Sequence, residues 1–297
     1  MRALKVVLIL MCIIIILLIA AIIYLFYINR TAILPKEESE IYELKEYPYK
    51  GNSVFALIPK EEIKNDFIIF YIHGGAYVTE LHDEHWQLLE DLVKDLGCII
   101  IAPDYPLTPK YQYTDVFNML IPLYEDIRNY IGDKELIVIG ESSGGGMGLA
   151  MCQKIGEKGG EQPGKLILLS PWLDVTMENP QIQEVQKVDP VLNQYILKAA
   201  GIAYAGENGM DDYLVNPILG PLDKLKNVII FTGTKDILNP DVHVLEEKAK
   251  QQGITLDIRE TKDAVHVWML NRHKKNDKVK SYMAEEAYQE LVKEIER

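Results

Sequence analysis

Short apolar runs alternate with amphipathic segments along most of this chain. The runs have the length and continuous apolar character of buried strands, and the segments between them have helical periodicity. The predicted strands are 41–47, 53–58, 67–72, 98–102, 136–139, 166–169, 228–231 and 255–258. The predicted helices are 84–96, 115–131, 145–155, 241–251 and 277–295. This alternation predicts an α/β fold with a mostly parallel central sheet and helices on both faces.

The first 30 residues differ from the rest. No charged residue occurs from Val6 to Asn29, and these 24 residues would span about 36 Å as a helix, more than a hydrocarbon core of about 30 Å. We therefore expect residues 1–30 to be a single-pass membrane anchor. Arg2 and Lys5 precede it, which favours an amino end inside and a body on the extracytoplasmic side. A cleavable signal peptide is the alternative, although its apolar region is shorter, at about 7–15 residues.

The remaining sequence predicts one large domain. Residues 31–50 form a polar linker that contains the first strand, and residues 51–297 form the catalytic domain. Within it, residues 175–222 interrupt the alternation and predict a small helical lid. Because 48% of the 297 residues are apolar, the chain can bury a sizeable core.

Charge and cysteine content exclude several classes of partner. The net charge is −13, with no basic block, which argues against nucleic acid. Six histidines and three cysteines are too few and too scattered for a structural zinc site. We expect Cys98 and Cys152 to be buried free thiols, and a disulfide between them remains the alternative.

The segment from Ile137 to Gly146 contains a motif typical of a nucleophilic serine. An apolar strand enters a Gly140-x-Ser142-x-Gly144 pentapeptide, and a predicted helix leaves it. A serine on such a sharp turn has a strained backbone, and its neighbours must be tiny to avoid a clash. A glycine-rich turn that merely caps a helix is the alternative interpretation.

A nucleophilic serine needs a base and an acid that orients the base. His266 follows the last predicted strand, and Asp236 follows the strand before it. The order Ser142, Asp236, His266 is the order expected for an α/β-hydrolase triad. Asp241 fits better as a helix cap or a supporting group. The other histidines considered as base lie on or beside predicted helices or among cationic residues: His82, His85, His243 and His273.

Backbone amides near the serine are the expected donors to a developing oxyanion. The N–H of Ser143 is one. The others would come from the loop that begins at His73, where Gly74 and Gly75 lack side chains. A plain turn after a strand is the alternative for this pair, and His73 itself fits better as a residue that braces the loop.

With these residues assembled, the chain resembles the hormone-sensitive-lipase-like branch of the α/β-hydrolases, the serine esterases marked by an HGGG motif. The matching segments are His73-Gly-Gly-Ala-Tyr77, Asp104-Tyr-Pro-Leu-Thr-Pro109, Gly140-Glu-Ser-Ser-Gly-Gly145, Ser170-Pro-Trp-Leu-Asp174, Gly233-Thr-Lys-Asp236 and the His266 loop. The resemblance implies an α/β-hydrolase fold and an oxyanion hole formed by Gly74, Gly75 and Ser143. It also implies that Asp104, Tyr105 and Glu141 support the site. The third glycine of the motif is Ala76 here.

Together, these observations predict a membrane-anchored serine carboxylesterase that hydrolyses short-to-medium acyl esters through an acyl-enzyme. Its partners would be a small-molecule ester and the membrane, with no metal or organic cofactor. The alternatives are an amidase, peptidase or deacetylase that uses the same triad, and a non-catalytic binding protein of the same fold. No long apolar stretch in 175–222 points to bilayer lipid as the substrate, and the oligomeric state stays open.

Overall fold

A computed structural model describes residues 32–35, 38–207, 209–273 and 278–297. The strands are β1 (Tyr42–Tyr49), β2 (Asn52–Pro59), β3 (Ile68–Ile72), β4 (Ile99–Asp104), β5 (Leu136–Glu141), β6 (Lys165–Leu169), β7 (Val228–Gly233) and β8 (Asp257–Thr261). The helices are α1 (Asp83–Leu96), α2 (Tyr113–Ile131), α3 (Ser143–Glu157), α4 (Ile182–Val185), α5 (Gln194–Ala205), α6 (Asn239–Gln251) and α7 (Lys278–Glu296). Short 3₁₀ helices cover Pro217–Leu219 and Trp268–Asn271.

The eight strands form one sheet in the order β1-β2-β4-β3-β5-β6-β7-β8. Only β2 runs antiparallel to the rest of the sheet: its pairs with β1 and β4 are antiparallel, and the five pairs from β4 to β8 are parallel. The predicted α/β-hydrolase fold with a mostly parallel sheet is therefore confirmed. The first strand pairs with β2 along its whole length, from Tyr42 opposite Pro59 to Tyr49 opposite Asn52. The strand predicted within the segment 31–50 is thus part of this sheet.

Two apolar clusters cover the two faces of the sheet. One contains the buried side chains of α2, α3 and α6, and the other contains those of α1 and α7. Cys152 belongs to the first cluster and Cys98 to the second, and both are free and fully buried. Because the sheet separates them, a disulfide between these two thiols is excluded. Burial raises the pKa of Cys98 to about 12, so this thiol stays protonated.

The last strand lies later in the chain than its apolar pattern predicts. The pattern favours 255–258, whereas β8 is Asp257–Thr261 and includes Arg259 and Glu260. Its register is fixed by pairing with β7, from Ile229 opposite Asp257 to Gly233 opposite Thr261. Because β8 is an edge strand, it can carry charged residues that a central strand would bury.

Residues 175–222 contain α4, α5 and the first 3₁₀ helix. The segment packs on the loops after β3 and β6. Ile218 N–H donates to Leu173 O at 3.2 Å, and the Tyr204 ring of α5 stacks on Tyr77 at 3.7 Å between centroids. The segment therefore covers the edge of the sheet where the parallel strands end.

The predicted membrane span, Val6–Asn29, lies outside the residues that the structure describes. Within the described ranges, no helix has both the length and the apolar character needed to cross a bilayer.

The buried carboxyl of Asp241 gives the fold a pH-dependent stability. Its Oδ1 accepts a hydrogen bond from Asn179 Nδ2 at 2.8 Å, and burial raises its pKa to about 7. An unfolded aspartate has a pKa of about 3.9, so the unfolded chain loses this proton first and the free energy of unfolding falls between about pH 4 and pH 7. We expect Asp241→Asn to remove that fall. The gain should be about 2–4 kcal/mol at pH 8 and should vanish near pH 4.

Thermal unfolding of the full chain at both pH values checks this expectation. Asp223→Asn is the matched control, because Asp223 is exposed and pairs only with its neighbour Lys224. An equal change in Tm at pH 4 and pH 8 would contradict the assignment to Asp241.

Candidate active site

Ser142 lies on the sharp turn between β5 and α3. Its φ and ψ are 54° and −121°, a region that non-glycine residues rarely adopt. A side chain at Gly140 would collide with the carbonyl of Gly144, and one at Gly144 would collide with the carbonyl of Ile72. The small residues on either side of the serine are therefore required by close backbone approach, as the sequence predicts.

Backbone strain is concentrated around this turn. Nine non-glycine residues in the described ranges have a positive φ, and five of them are the serine itself and four residues of the loops around it. These five are Ala76, Tyr77, Ser142, Ser170 and Val267. Strained residues cluster where the surrounding structure holds a site in one geometry.

The imidazole of His266 bridges Ser142 and Asp236. Its Nε2 lies 2.9 Å from Ser142 Oγ, and its Nδ1 lies 2.8 Å from Asp236 Oδ2. Asp236 is fully buried, and its other oxygen accepts the backbone N–H of Leu238 at 2.9 Å. Because a carboxylate can only accept, the Nδ1 carries the proton in this pair. Nε2 is then free to accept the serine proton.

Electrostatics adjusts the basicity of His266. Burial disfavours its cation, but the charge and hydrogen bond of Asp236 outweigh that effect and raise its pKa above the usual value. Two of the other histidines pair elsewhere, His243 with Glu260 at 2.7 Å and His273 with Asp91 at 2.6 Å.

Gly74 is not placed as the family resemblance implies. Its N–H donates to Glu141 Oε1, so this amide is already committed and cannot serve an oxyanion. The prediction of Gly74 as an oxyanion donor is therefore wrong. By contrast, the N–H groups of Gly75, Ala76 and Ser143 find no acceptor in the part of the chain that the structure describes.

Ala76 thus takes the place predicted for Gly74. It has a φ of 53°, and the loop comes so close to the serine that an added Cβ on Gly74 would lie 2.9 Å from Ser142 Cβ. The sequence alone could not reveal which amides of this loop are free, because the carboxylate that accepts the Gly74 N–H belongs to Glu141, at the end of β5.

His73 and Tyr105 brace the same loop. The Tyr105 hydroxyl donates to His73 O at 2.8 Å, and the two rings stack at 4.2 Å. His73 Nδ1 lies 2.7 Å from Gly74 O, while burial and the nearby His85 lower the pKa of His73 to about 3. His73 is therefore neutral and positions the loop. Asp104 lies apart from this network: burial raises the pKa of its carboxyl to about 6, and the nearby backbone N–H of Ala32 partly offsets that rise.

Sequence reasoning missed the role of His85. This histidine of α1 donates its Nε2–H to Glu141 Oε1 at 2.9 Å, because its Nδ1 already accepts the backbone N–H of His82 at 3.1 Å. Both His85 and Glu141 are 2% exposed. Burial opposes the charge of Glu141, but His85 and the Gly74 amide hold its pKa below the usual value. No local sequence signal marks an isolated helical histidine for this contact.

Glu141 therefore joins the serine turn to the donor loop. Glu141→Gln keeps the shape but weakens two charge-assisted hydrogen bonds, and we expect about a tenfold lower kcat with little change in KM. The comparison variant is Glu294→Gln, another buried glutamate, which pairs with Arg259 at 3.1 Å. Wild-type kcat in Glu141→Gln would contradict this role.

Comparisons with known proteins identify the family of this chain. The alpha/beta hydrolase fold family matches residues 69–270. An esterase from Acinetobacter venetianus is 30% identical over 194 residues, which are 65% of this chain and 64% of that protein. A triacylglycerol lipase from Mycobacterium tuberculosis is 27% identical over 226 residues, which are 75% of this chain and 46% of that protein. The match therefore covers less than two thirds of either relative.

Solved structures share the architecture over more of the chain. A Staphylococcus aureus protein provisionally named an esterase has a TM-score of 0.78 at 25% identity and covers 88% of this chain and 89% of its own. A hormone-sensitive lipase from a metagenome library has a TM-score of 0.77 at 23% identity, covering 87% and 86%. The fold resemblance thus extends beyond the region of sequence similarity.

Proposed function

We propose that this chain, which belongs to the α/β-hydrolase family in the branch similar to hormone-sensitive lipase, hydrolyses carboxylic esters with Ser142 as nucleophile. One observation carries the proposal. The imidazole of His266 lies within hydrogen-bond distance of both Ser142 and the buried Asp236. This is the arrangement that a serine needs to become nucleophilic at neutral pH.

The reaction proceeds in two halves. His266 Nε2 takes the hydroxyl proton as Ser142 Oγ attacks the ester carbonyl, and the imidazolium then gives that proton to the departing alcohol. Water attacks the resulting acyl-enzyme with His266 again as base, which releases the acid and restores Ser142. Asp236 holds the imidazole tautomer and stabilises its cation throughout.

Backbone amides supply the remaining stabilisation. In the tetrahedral intermediates, the carbonyl oxygen becomes negative and accepts the N–H groups of Gly75, Ala76 and Ser143. Removal of one such donor typically costs about 2.7–4 kcal/mol of transition-state stabilisation. Ser143 also begins α3, whose N-terminal dipole favours negative charge.

The substrate range and the location are part of the same proposal. The serine is only 8% exposed beneath the segment 175–222, which favours esters with short-to-medium acyl groups. The uncharged run Val6–Asn29 supports a single membrane anchor with the catalytic domain on the extracytoplasmic side.

The test is turnover by the purified full chain in detergent. We expect hydrolysis of p-nitrophenyl butyrate and covalent labelling by a fluorophosphonate probe. The matching p-nitroanilide, run side by side, separates an esterase from an amidase. A folded protein that neither hydrolyses the ester nor takes up the probe would refute the proposal.

A further inference from the structure

The outer face of the lid helix α5 is apolar. Its four exposed positions recur with helical spacing and carry no charge: Tyr195, Ile196, Ala199 and Ile202. Lys198, which pairs with Glu178 at 3.3 Å, lies at the border of this face. Tyr195 is 78% exposed, Ile196 65% and Ile202 51%. An ordinary surface helix shows polar residues on its outer face, so a helix apolar on both sides is expected to be covered.

This outer face points away from the catalytic domain. Tyr204 and Gly201 lie on the other side of α5, where Tyr204 stacks on Tyr77 and an added Cβ on Gly201 would lie 2.6 Å from Val175 Cβ. The exposed residues therefore face outward at the edge of the sheet that holds the site.

Two further exposed apolar residues lie in the turn before α5. Val188 and Val191 are 53% and 54% exposed in the turn before α5. Between them, Asp189 accepts the backbone N–H of Ile237, the neighbour of Asp236, at 2.9 Å. The negative charge of Asp189 also acts on His266. The turn thus lies beside the catalytic groups.

The chain enters the domain at the same edge. Ile33 N–H donates to Leu81 O, in the loop after β3, at 2.9 Å, and Ile33 O accepts the indole N–H of Trp86 at 2.7 Å. The Ala32 N–H lies close enough to Asp104, at the end of β4, to lower the pKa of that carboxyl. In the sheet, β4 lies two strands from β5, which leads to Ser142. That separation is about 10 Å along the edge.

The connection from the anchor is short. Ala32 follows Asn29, the last residue of the uncharged run, by three residues, which span at most about 11 Å even when fully extended. If Val6–Asn29 crosses a bilayer, the edge of the domain that carries Ala32 must lie against the surface of that bilayer.

We propose that the apolar face of α5, with Val188 and Val191, rests in the interfacial layer of the membrane that holds the chain's own amino-terminal segment. The site then opens toward the bilayer, and its substrates are esters dissolved in it. This inference rests on the proposed membrane anchor. It also revises the expectation from the sequence that nothing in residues 175–222 points to bilayer lipid as the substrate.

Depth-dependent quenching tests the contact directly. The full chain, in a Cys12→Ser background with Cys98 and Cys152 buried, receives Ile196→Cys labelled with an environment-sensitive nitrobenzoxadiazole dye. The control is Tyr130→Cys on α2, because Tyr130 is 91% exposed and lies toward the opposite edge of the sheet. In phosphatidylcholine vesicles that contain nitroxide-labelled lipid, we expect strong quenching and a blue shift at position 196 and neither at position 130.

Three outcomes would overturn the proposal. Equal quenching at both positions would mean that the domain has no fixed orientation, and no quenching at position 196 would mean that α5 stays in water. A blue shift without quenching would mean that protein covers α5, either this chain or a second copy. Flotation of the same sample with the vesicles distinguishes failure of the anchor from failure of the α5 contact. A protein that does not float is not anchored in the membrane at all. A protein that floats but shows no quenching at position 196 is anchored without α5 touching the bilayer.

A kinetic readout complements the spectroscopy. Ile196→Lys and Ile202→Lys, made together, should lower hydrolysis of a medium-chain acylglycerol in vesicles by about tenfold, since each removes a large apolar contact with the bilayer. Hydrolysis of water-soluble p-nitrophenyl acetate should be unchanged, and Tyr130→Lys should alter neither. An equal loss on both substrates would overturn the docking, and absence of acetate turnover in the wild type would refute the esterase proposal instead.

Discussion

Replacing Ser142 with alanine is expected to lower kcat for p-nitrophenyl butyrate by about a millionfold. The loss is this large because the hydroxyl is the only atom that forms the acyl-enzyme, and the remaining base and acid have no nucleophile to activate. Residual turnover would come from the backbone donors and from binding, which together leave about 10³–10⁴-fold over the uncatalysed reaction. Steady-state kinetics and fluorophosphonate labelling measure the effect.

The matched control is Ser53→Ala, which removes a half-buried serine hydroxyl of β2 that donates to Glu46, far from His266 and Asp236. Circular dichroism should be the same for both variants and the wild type. If Ser142→Ala kept more than a hundredth of the wild-type rate and still took up the probe, another residue would have to be the nucleophile.

Asp236→Asn should lower kcat/KM by about 10⁴-fold. An amide in place of the buried carboxylate can donate to Nδ1, which moves the imidazole proton to Nε2, the atom that must accept from Ser142. The negative charge that raises the pKa of His266 is also lost. We therefore expect the remaining activity to have its acidic limb at lower pH than the wild type.

The direction of that pH effect follows from the role of the base. Only neutral His266 can accept the serine proton, so the wild-type kcat/KM should rise with pH through a pKa above about 6.5. Asp263→Asn is the control: this aspartate is on the same loop as His266 but forms an exposed ion pair with Lys235 at 3.0 Å. A rate within tenfold of the wild type in Asp236→Asn would contradict the assigned role.

Most of the sheet could be predicted from the sequence because its central strands are buried on both sides. The strand before the serine is an example, since all six residues of β5 are buried and its apolar run has no other explanation. The sequence order of Ser142, Asp236 and His266 was likewise enough to predict that they meet, because the carboxyl ends of parallel strands share one edge.

Features that depend on contacts between distant residues could not be predicted. Gly74 and Ala76 are equivalent as backbone donors in the sequence, and only the position of Glu141 separates them. In the sequence, His85 is an ordinary helical histidine, and only the fold brings it against Glu141 at the end of β5. The outer face of α5 is a similar case, because its apolar residues look like core residues until the structure shows which side is already packed.

The contact between Glu141 and Gly74 has a consequence for the evolution of this protein. Residue 141 immediately precedes the nucleophile Ser142. The Glu141 side chain therefore fixes the position of the serine oxygen relative to the loop of Gly75 and Ala76, whose amides would bind the oxyanion. Variation in substrate preference should then accumulate in the lid, where a change leaves this alignment intact. A side chain at residue 74 would collide with Glu141, so a change at residue 74 would also require a change at residue 141 and should be a rare step on any path toward a new ester.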